Sequence, residues 1–178
     1  MKKVLVVCAA ILVIWLIINW KDIWGYSTLD KAVQSQWKSQ VGTVNKDEIN
    51  RLVLYKDQDQ YVFGVFHKKY GRYYYKNDSQ SSGWTSQSNN GPAFLVRVEH
   101  KQNKGNYIWG ALYSEIPIEK FQIEFKNGET REVTAVNNTF IYRIPDVYQE
   151  VQEPNLMTTF IDVKAYDKGN KQIKAWRD

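Results

Sequence analysis

An apolar run near the amino terminus sets the strongest limit on how this chain can fold. From Val4 to Trp20 every position is apolar except Asn19, and Lys2 and Lys3 stand directly before the run. A helix of this length rises about 25 Å, against about 30 Å for the hydrocarbon core of a bilayer. Helix that continues through Trp24, with flanking lysines reaching outwards, would close that gap.

We therefore expect residues 1–26 to form a signal anchor, a transmembrane helix that is not removed. Tryptophan rings prefer the membrane interface, and lysines hold helix ends in the headgroup region. The expected membrane-anchoring residues are Lys2, Lys3, Trp20 and Trp24.

The charges that flank the run predict its orientation. Lys2 and Lys3 precede it, whereas Lys21 and Asp22 cancel each other just after it. The positive-inside rule then places the amino terminus in the cytoplasm and the C-terminal domain outside the cell membrane. The alternative is a cleaved signal peptide and secretion, because Gly25-Tyr26-Ser27 is a small-x-small triplet that permits cleavage near Ser27.

Composition limits what the exported part, residues 27–178, can be. The net charge of the chain is only +5, which suits an anionic surface but is too mild for a nucleic-acid protein. The single cysteine, Cys8, lies inside the apolar run, so the exported domain can form no disulfide. It must rely on its core, for which aromatic residues, 15% of the chain, supply material. We predict one extracytoplasmic β-rich domain.

The first exported segment has helical periodicity. Leu29, Val33, Trp37 and Val41 recur every four residues, which predicts an amphipathic helix over Ser27–Gln40. Ser27 followed by Asp30 resembles a capping signal, and Gly42 is a plausible end. We expect this helix to pack on the domain; lying along the membrane is the alternative.

From Arg51 onwards the apolar residues alternate with a period of two, which is typical of strands. An Asn127-Gly128 turn between alternating segments is a strong hairpin signal, because both turn residues then take positive φ. The polar segment 77–92 is long for a loop and marks a possible subdomain break. The fold class is mainly β, with about ten short antiparallel strands in a sandwich-like or partly open barrel arrangement. The predicted strands are Arg51–Lys56, Tyr61–His67, Tyr70–Lys76, Phe94–Glu99, Tyr107–Tyr113, Phe121–Phe125, Glu129–Val136, Phe140–Ile144, Phe160–Tyr166 and Gln172–Trp176.

Several of these segments together resemble a known group of proteins. They are the helix ending in Trp37, the strand LVLY, Gly83-Trp84, the strand YIWGALY, the Asn127-Gly128 hairpin and the closing VKAYDKGNKQI. The chain resembles the small uncharacterised membrane-anchored proteins of Gram-positive, spore-forming bacteria. That resemblance implies an envelope location and a β-rich fold, and no activity, cofactor or catalytic residue.

Catalytic and metal motifs are missing from the sequence. His67 and His100 are the only histidines and belong to no ligand cluster, and Asp57-Gln58-Asp59 lacks most of a calcium loop. No Gly-x-Ser-x-Gly elbow or phosphate-binding glycine loop occurs. We predict a protein that is not an enzyme and needs no cofactor.

The segment Lys68–Lys76 is the most unusual exported stretch, with four cations and four tyrosines in nine residues. Cations attract phosphate, and aromatic rings stack on a ligand. The alternative is a twisted strand whose alternate tyrosines enter the core while its lysines stay exposed to solvent. Trp84, in its polar loop, is either an exposed anchor for a partner or a lid on the core. The candidate binding residues are Lys68, Lys69, Arg72, Tyr73, Tyr75 and Trp84.

Two functional hypotheses follow. The first is a non-enzymatic protein-interaction module of the cell envelope, which binds another protein through a sheet edge or the Trp84 loop. The second is a binder of anionic envelope polymers or lipid headgroups through Lys68–Lys76.

Overall fold

The structure is a computed structural model that describes residues 2–18, 20, 24–58, 60–76, 82–84, 93–101, 105–145 and 160–177. Most of segment 77–92, and with it the possible subdomain break, lies outside the described residues.

Two helices and twelve strands make up the described part of the chain. The helices are α1 (Lys2–Ile18) and α2 (Leu29–Gln34). The strands are β1 (Val41–Asp47), β2 (Leu52–Asp57), β3 (Gln60–Lys69), β4 (Arg72–Tyr75), β5 (Ser82–Trp84), β6 (Phe94–Lys101), β7 (Gly105–Leu112), β8 (Lys120–Phe125), β9 (Thr130–Thr134), β10 (Thr139–Arg143), β11 (Phe160–Tyr166) and β12 (Gln172–Ala175).

The strands form three antiparallel sheets, which confirms the mainly β class. The first sheet has the order β1-β2-β3-β4, with β5 also paired to β3; the second is β10-β7-β6; the third is β12-β11-β8-β9. The sequence prediction missed β1 and β5. In β1, Gly42 and Asn45 interrupt the alternation, and a bulge between Thr43 and Asn45 moves the later side chains to the other face.

The sheets are stacked, with the second sheet in the middle. In β7, Tyr107 and Trp109 pack against the first sheet, where the Phe63 ring stacks on Trp109 with 5.8 Å between centroids. The residues of β7 that alternate with these two, such as Ile108, belong instead to the core shared with the third sheet. β7 is therefore covered on both faces, and its side chains alternate between two cores.

Helix α2 covers the outer face of the first sheet, and it is shorter than the predicted Ser27–Gln40. Its N-cap is Thr28, not Ser27, and the Thr28 hydroxyl accepts from Lys31 N. After Gln34 the chain turns, because the Gln34 amide donates to Trp37 O and Ser39 O while its oxygen accepts from Val41 N. A helical continuation would lose these bonds. Gly42 lies within β1, so it does not end the helix.

Helix α1 is helical as expected and carries its apolar side chains outwards. Ile11, Val13 and Ile17 are more than half exposed. Trp20 and Trp24 are also helical, and their rings lie 5.1 Å apart. None of the helices among the described residues has both the length and the apolarity that crossing a membrane requires.

The Asn127-Gly128 hairpin is present, but its turn differs from the predicted one. Gly128 has a φ of 84°, and Phe125 O accepts from Gly128 N at 3.0 Å while Phe125 N donates to Glu129 O. This is a three-residue connection, a type I turn followed by a left-handed glycine, in place of two residues of positive φ.

Candidate functional site

The β3–β4 hairpin carries the basic and aromatic segment that the sequence singled out. Its turn consists of Tyr70 and Gly71, with φ values of 51° and 73°. Positive φ at both positions is typical of a type I′ turn, which matches the twist of the two strands. Gly71 therefore lies in the turn and not in the predicted strand Tyr70–Lys76. Tyr70, 91% exposed, projects from the tip.

Cations are concentrated at this tip. Lys68, Lys69 and Arg72 are all exposed. Lys69 and Arg72 lie directly opposite each other in the register of β3 and β4. Like charges directly opposite each other on two strands are destabilising. An anion bound beside them would relieve that repulsion.

An open pocket of about 650 Å³ lies at the base of the tip. It is lined by Arg51, His67, Lys68, Lys69 and Tyr74. These side chains supply three permanent cations, an imidazole and a phenol, with no carboxylate among the lining residues. This composition matches a phosphate or another multiply charged anion.

Among the described residues, the carboxylate of Glu48 neutralises part of this charge from the neighbouring turn between β1 and β2. Its oxygens lie 3.1 Å from Lys46 Nζ, 3.6 Å from Arg51 Nη1 and 3.8 Å from Lys68 Nζ. The Tyr73 hydroxyl donates to it at 3.5 Å. Three cations thus share one carboxylate, so the cluster keeps a net positive charge.

The electrostatics of the cluster show in the pKa values of Glu48 and Lys68. Burial acts to raise the pKa of the Glu48 carboxyl, but the hydrogen bond and charge of Lys46 and the charges of Lys68 and Arg51 lower it below its ordinary value. A hydrogen bond with the Tyr73 side chain, and to a smaller extent the charge of Glu48, raises the pKa of Lys68. Both groups stay ionised at neutral pH.

The other predicted binding residues have mixed positions. The Tyr75 side chain lies in the core, 7% exposed, and its hydroxyl donates to the Tyr55 hydroxyl, so it is not on the tip surface. Tyr73 is half-buried against the Phe66 ring, and Lys68 Nζ lies 4.6 Å from the centroid of the Tyr73 ring. These two positions agree in part with the alternative prediction, in which alternate tyrosines of a twisted strand enter the core. The backbone of Trp84 pairs with Gln60 in β5.

Sequence reasoning missed Arg51 and Glu48 and treated His67 as an ordinary surface residue. Arg51 has a φ of 61°, and Phe66 N donates to Arg51 O, so the β1–β2 turn lies against β3. Nothing in the local sequence indicates that neighbourhood, because strand register decides it. The one available signal was the cluster of charges Lys46, Glu48 and Arg51 in a turn.

The segment that follows α1 is tied to the hairpin. Tyr26 and Tyr73 form an antiparallel bridge, with both backbone N–H···O distances 2.8 Å. Gly25, at φ 64°, lies so close to the Tyr74 ring that an added Cβ would be 2.7 Å from it. The chain that leaves α1 therefore runs directly beside β4.

Within the described residues, no group of three or more His, Cys, Asp or Glu side chains could hold a metal ion. No protein-family model, curated protein or solved structure matches the chain.

Proposed function

We propose that this protein is a single-pass membrane protein, with its amino terminus in the cytoplasm, whose extracytoplasmic domain binds phosphate-bearing anionic polymers or lipid headgroups. The observation that carries the binding proposal is the pocket of Arg51, His67, Lys68, Lys69 and Tyr74, which has no carboxylate among its lining residues. Envelope polymers and lipid headgroups share the phosphate chemistry that such a pocket recognises.

Two features support the membrane location. Ile11 and Ile17 of α1 are 62% and 69% exposed, and an exposed apolar helix face of this kind is typical of a membrane-contacting segment. Lys2 and Lys3 precede its apolar residues. Protease added to intact cells should remove a C-terminal tag; a tag that remains protected contradicts this orientation.

The strand direction points the hairpin tip away from α1, whereas Tyr74 of the pocket lies beside Gly25. The Tyr26–Tyr73 bridge is antiparallel, so the chain passes from Gly25 to Ser27 in the direction that leads from Tyr74 to Arg72. The Tyr70-Gly71 tip therefore lies on the side of the bridge away from α1. A soluble wall polymer reaches that side freely.

Glu48 provides a sharp test, because removing it should strengthen binding. Glu48→Gln frees Lys46, Arg51 and Lys68 from their shared counter-charge. One additional net positive charge beside an anionic polymer is worth about 1 kcal/mol, or roughly five-fold in affinity. The measurement is binding of poly(glycerol phosphate) to the full chain in nanodiscs of neutral lipid, with vesicles containing phosphatidylglycerol as a second ligand. Glu132→Gln removes another ion-paired carboxylate, on β9, which is more exposed than Glu48, and should leave affinity unchanged.

The same experiment identifies the source of the phosphate. Polymer binding that weakens as salt rises supports a polymer ligand, whereas binding of the vesicles alone assigns the site to lipid headgroups. Binding to neither ligand, or weaker binding by Glu48→Gln, overturns the proposal.

Lowering the pH until Glu48 is protonated should strengthen polymer binding, as Glu48→Gln should. The pKa of Glu48 lies below its ordinary value of 4.5 in the folded protein, so its ion pairs stabilise the fold above that value and are lost as pH falls through the lowered pKa. Polymer affinity should rise over that same acidic range while the free energy of unfolding falls slightly, because the cluster is largely exposed. Phosphodiesters remain charged there.

A second proposal is a protein-interaction module that binds another envelope protein. Its support is β5, which places the Trp84 backbone beside Gln60 at an edge of the first sheet. An extended partner segment can add a strand to such an edge. Crosslinking on intact cells should then recover one protein partner that the Trp84→Ala variant loses; recovery of polymer or lipid without protein contradicts it.

A further inference from the structure

We infer that the β1–β2 turn and the β3–β4 hairpin tip together dock on an anionic lipid bilayer, into which the side chains of Ile49 and Tyr70 insert. Ile49 is 92% exposed and Tyr70 is 91% exposed, so both project into solvent. The inference deepens the proposed function and rests on it, because the same cations take part and the ligand is narrowed to a bilayer surface.

Strand pairing places both side chains at one end of the first sheet. Because β2 and β3 are antiparallel, the start of β2 and the end of β3 lie at the same end. The β1–β2 turn, which carries Ile49, precedes β2, and Tyr70 directly follows β3. Glu48 Oε2 lies 3.8 Å from Lys68 Nζ, so side chains of the two hairpins meet beside the turns. Ile49 and Tyr70 are therefore presented by neighbouring turns.

Tyr70 is an unusual residue for its turn. Its φ of 51° lies in the left-handed region, where a bulky side chain is strained, and a type I′ turn usually has asparagine, aspartate or glycine there. The strain brings the fold little packing, because so exposed a ring buries almost none of its surface against the domain. A residue that breaks a local preference without a gain in packing is typical of a functional site.

The backbone of the β1–β2 turn is held by Asp47, which leaves the Ile49 side chain outside. The Asp47 carboxylate accepts from Ile49 N at 3.0 Å and from Asn50 N at 2.9 Å, and Asn50 Nδ2 donates to it at 2.6 Å. Polar residues are usual at such turn positions, whereas isoleucine presents apolar surface to water. Insertion into lipid would remove that surface from water.

Cations lie beside both apolar side chains. Lys69 Nζ is 5.2 Å from the centroid of the Tyr70 ring. Within residues 46–51 and 68–72, five cations stand against two carboxylates: Lys46, Arg51, Lys68, Lys69 and Arg72 against Asp47 and Glu48. Anionic headgroups attract lysine and arginine, while apolar and aromatic side chains reach the boundary between headgroups and acyl chains. A soluble phosphate polymer offers the charge without an apolar layer, so the combination favours a bilayer.

Ile49→Ser/Tyr70→Asn tests the inference, because it removes both apolar side chains and keeps every cation. With the full chain in neutral-lipid nanodiscs, binding of vesicles that contain phosphatidylglycerol should weaken at least about ten-fold, while affinity for poly(glycerol phosphate) stays within about two-fold. The melting temperature should be unchanged or higher, because asparagine suits the left-handed turn position. The matched control, Tyr113→Asn/Ile116→Ser, makes the same exchanges at exposed positions between β7 and β8 and should leave vesicle binding unchanged.

A fluorescent label identifies the bilayer that the turns enter. An environment-sensitive dye on Ile49→Cys, with the one native cysteine removed by Cys8→Ala, should shift to shorter wavelength when it enters lipid. Anionic vesicles added to neutral nanodiscs present a second bilayer, whereas nanodiscs that contain phosphatidylglycerol present the bilayer around α1. A shift in either arm supports the inference. The same dye on Lys126→Cys, between β8 and β9, should not shift.

The inference is overturned if Ile49→Ser/Tyr70→Asn binds the vesicles as the unchanged chain does, or if the matched control weakens vesicle binding equally. An equal loss of polymer affinity, or a dye that shifts in neither arm, overturns it too. Binding of polymer without vesicles also overturns it and leaves the anion-binding proposal intact. If neither ligand binds, the anion-binding proposal fails and the inference fails with it.

Discussion

Reversing the charges of Lys68, Lys69 and Arg72 together to glutamate should weaken binding of poly(glycerol phosphate) by about a hundred-fold or more. Each cation near an anionic surface contributes about 1 kcal/mol, so losing three costs roughly 3 kcal/mol before the new repulsion is counted. The three side chains are exposed at one hairpin tip, and two of them, Lys68 and Lys69, line the pocket at the base of that tip. Fluorescence anisotropy of labelled polymer at several salt concentrations measures the change.

The matched control for charge reversal is Lys126, Lys168 and Lys171, all changed to glutamate. These lysines are exposed in or beside turns of the third sheet, so the net charge changes equally at a distant place. If binding depends only on overall charge, both triple variants will weaken it alike, and the site assignment fails. If it depends on the tip, the control will bind nearly as well as the unchanged chain.

Lys68→Glu places a new carboxylate near Glu48, at present 3.8 Å from Lys68 Nζ, so the triple variant can lose stability locally. The double variant Lys69→Glu/Arg72→Glu avoids this contact. We expect it to weaken binding by at least about ten-fold with little change in melting temperature. Unchanged affinity in a folded double variant would contradict a site at the hairpin tip.

Gly110→Val should have the largest effect on stability, with a loss of about 3 kcal/mol or more. Gly110 lies in the middle strand β7, between Phe140 on β10 and Val96 on β6. A Cβ added there would lie 2.5 Å from the Phe140 ring and 2.6 Å from Leu95 O. Strand pairing within the second sheet fixes both neighbours, so the Phe140 ring and the backbone of β6 must shift to accept the side chain. Such a loss is a large share of the roughly 5–15 kcal/mol by which a domain is stable.

Gly42→Val is the matched control, because an added Cβ at Gly42 on β1 meets no atom within 4 Å. There we expect no loss, or a small gain, since valine favours extended backbone and reduces the freedom of the unfolded chain. Urea denaturation followed by tryptophan fluorescence compares the two variants. Equal stability of the two would contradict the close packing of Phe140 over Gly110.

The sequence predicted those strands well that bury only one face, because their apolar residues alternate regularly with polar ones. Phe160–Tyr166 was placed with both ends correct, and Phe121, Ile123 and Phe125 share the buried face as expected. It failed at β1, where a bulge breaks the alternation, and at the end of α2. There the three hydrogen bonds of the Gln34 amide to backbone atoms outweigh the helical spacing of Leu29, Val33 and Trp37.

The two pockets were only partly predictable. Lys68 and Lys69 stood out as cations among tyrosines, but Tyr75 on the same strand enters the core because side chains alternate. Arg51 joins them from another turn. A second pocket of about 610 Å³ brings Asp30, Thr43, Tyr73 and Val136 together from four parts of the chain, and no local sequence pattern predicts that these residues meet.

The amino-acid sequence by itself determined the mainly β class, the apolar amino-terminal helix and a basic hairpin, because periodicity and charge are local properties of a chain. Only the tertiary structure decided that three sheets stack with β7 in the middle and that Glu48 neutralises part of the charge of Lys46, Arg51 and Lys68. These outcomes depend on strand register and on which faces meet, and both are set by packing between residues far apart in the sequence.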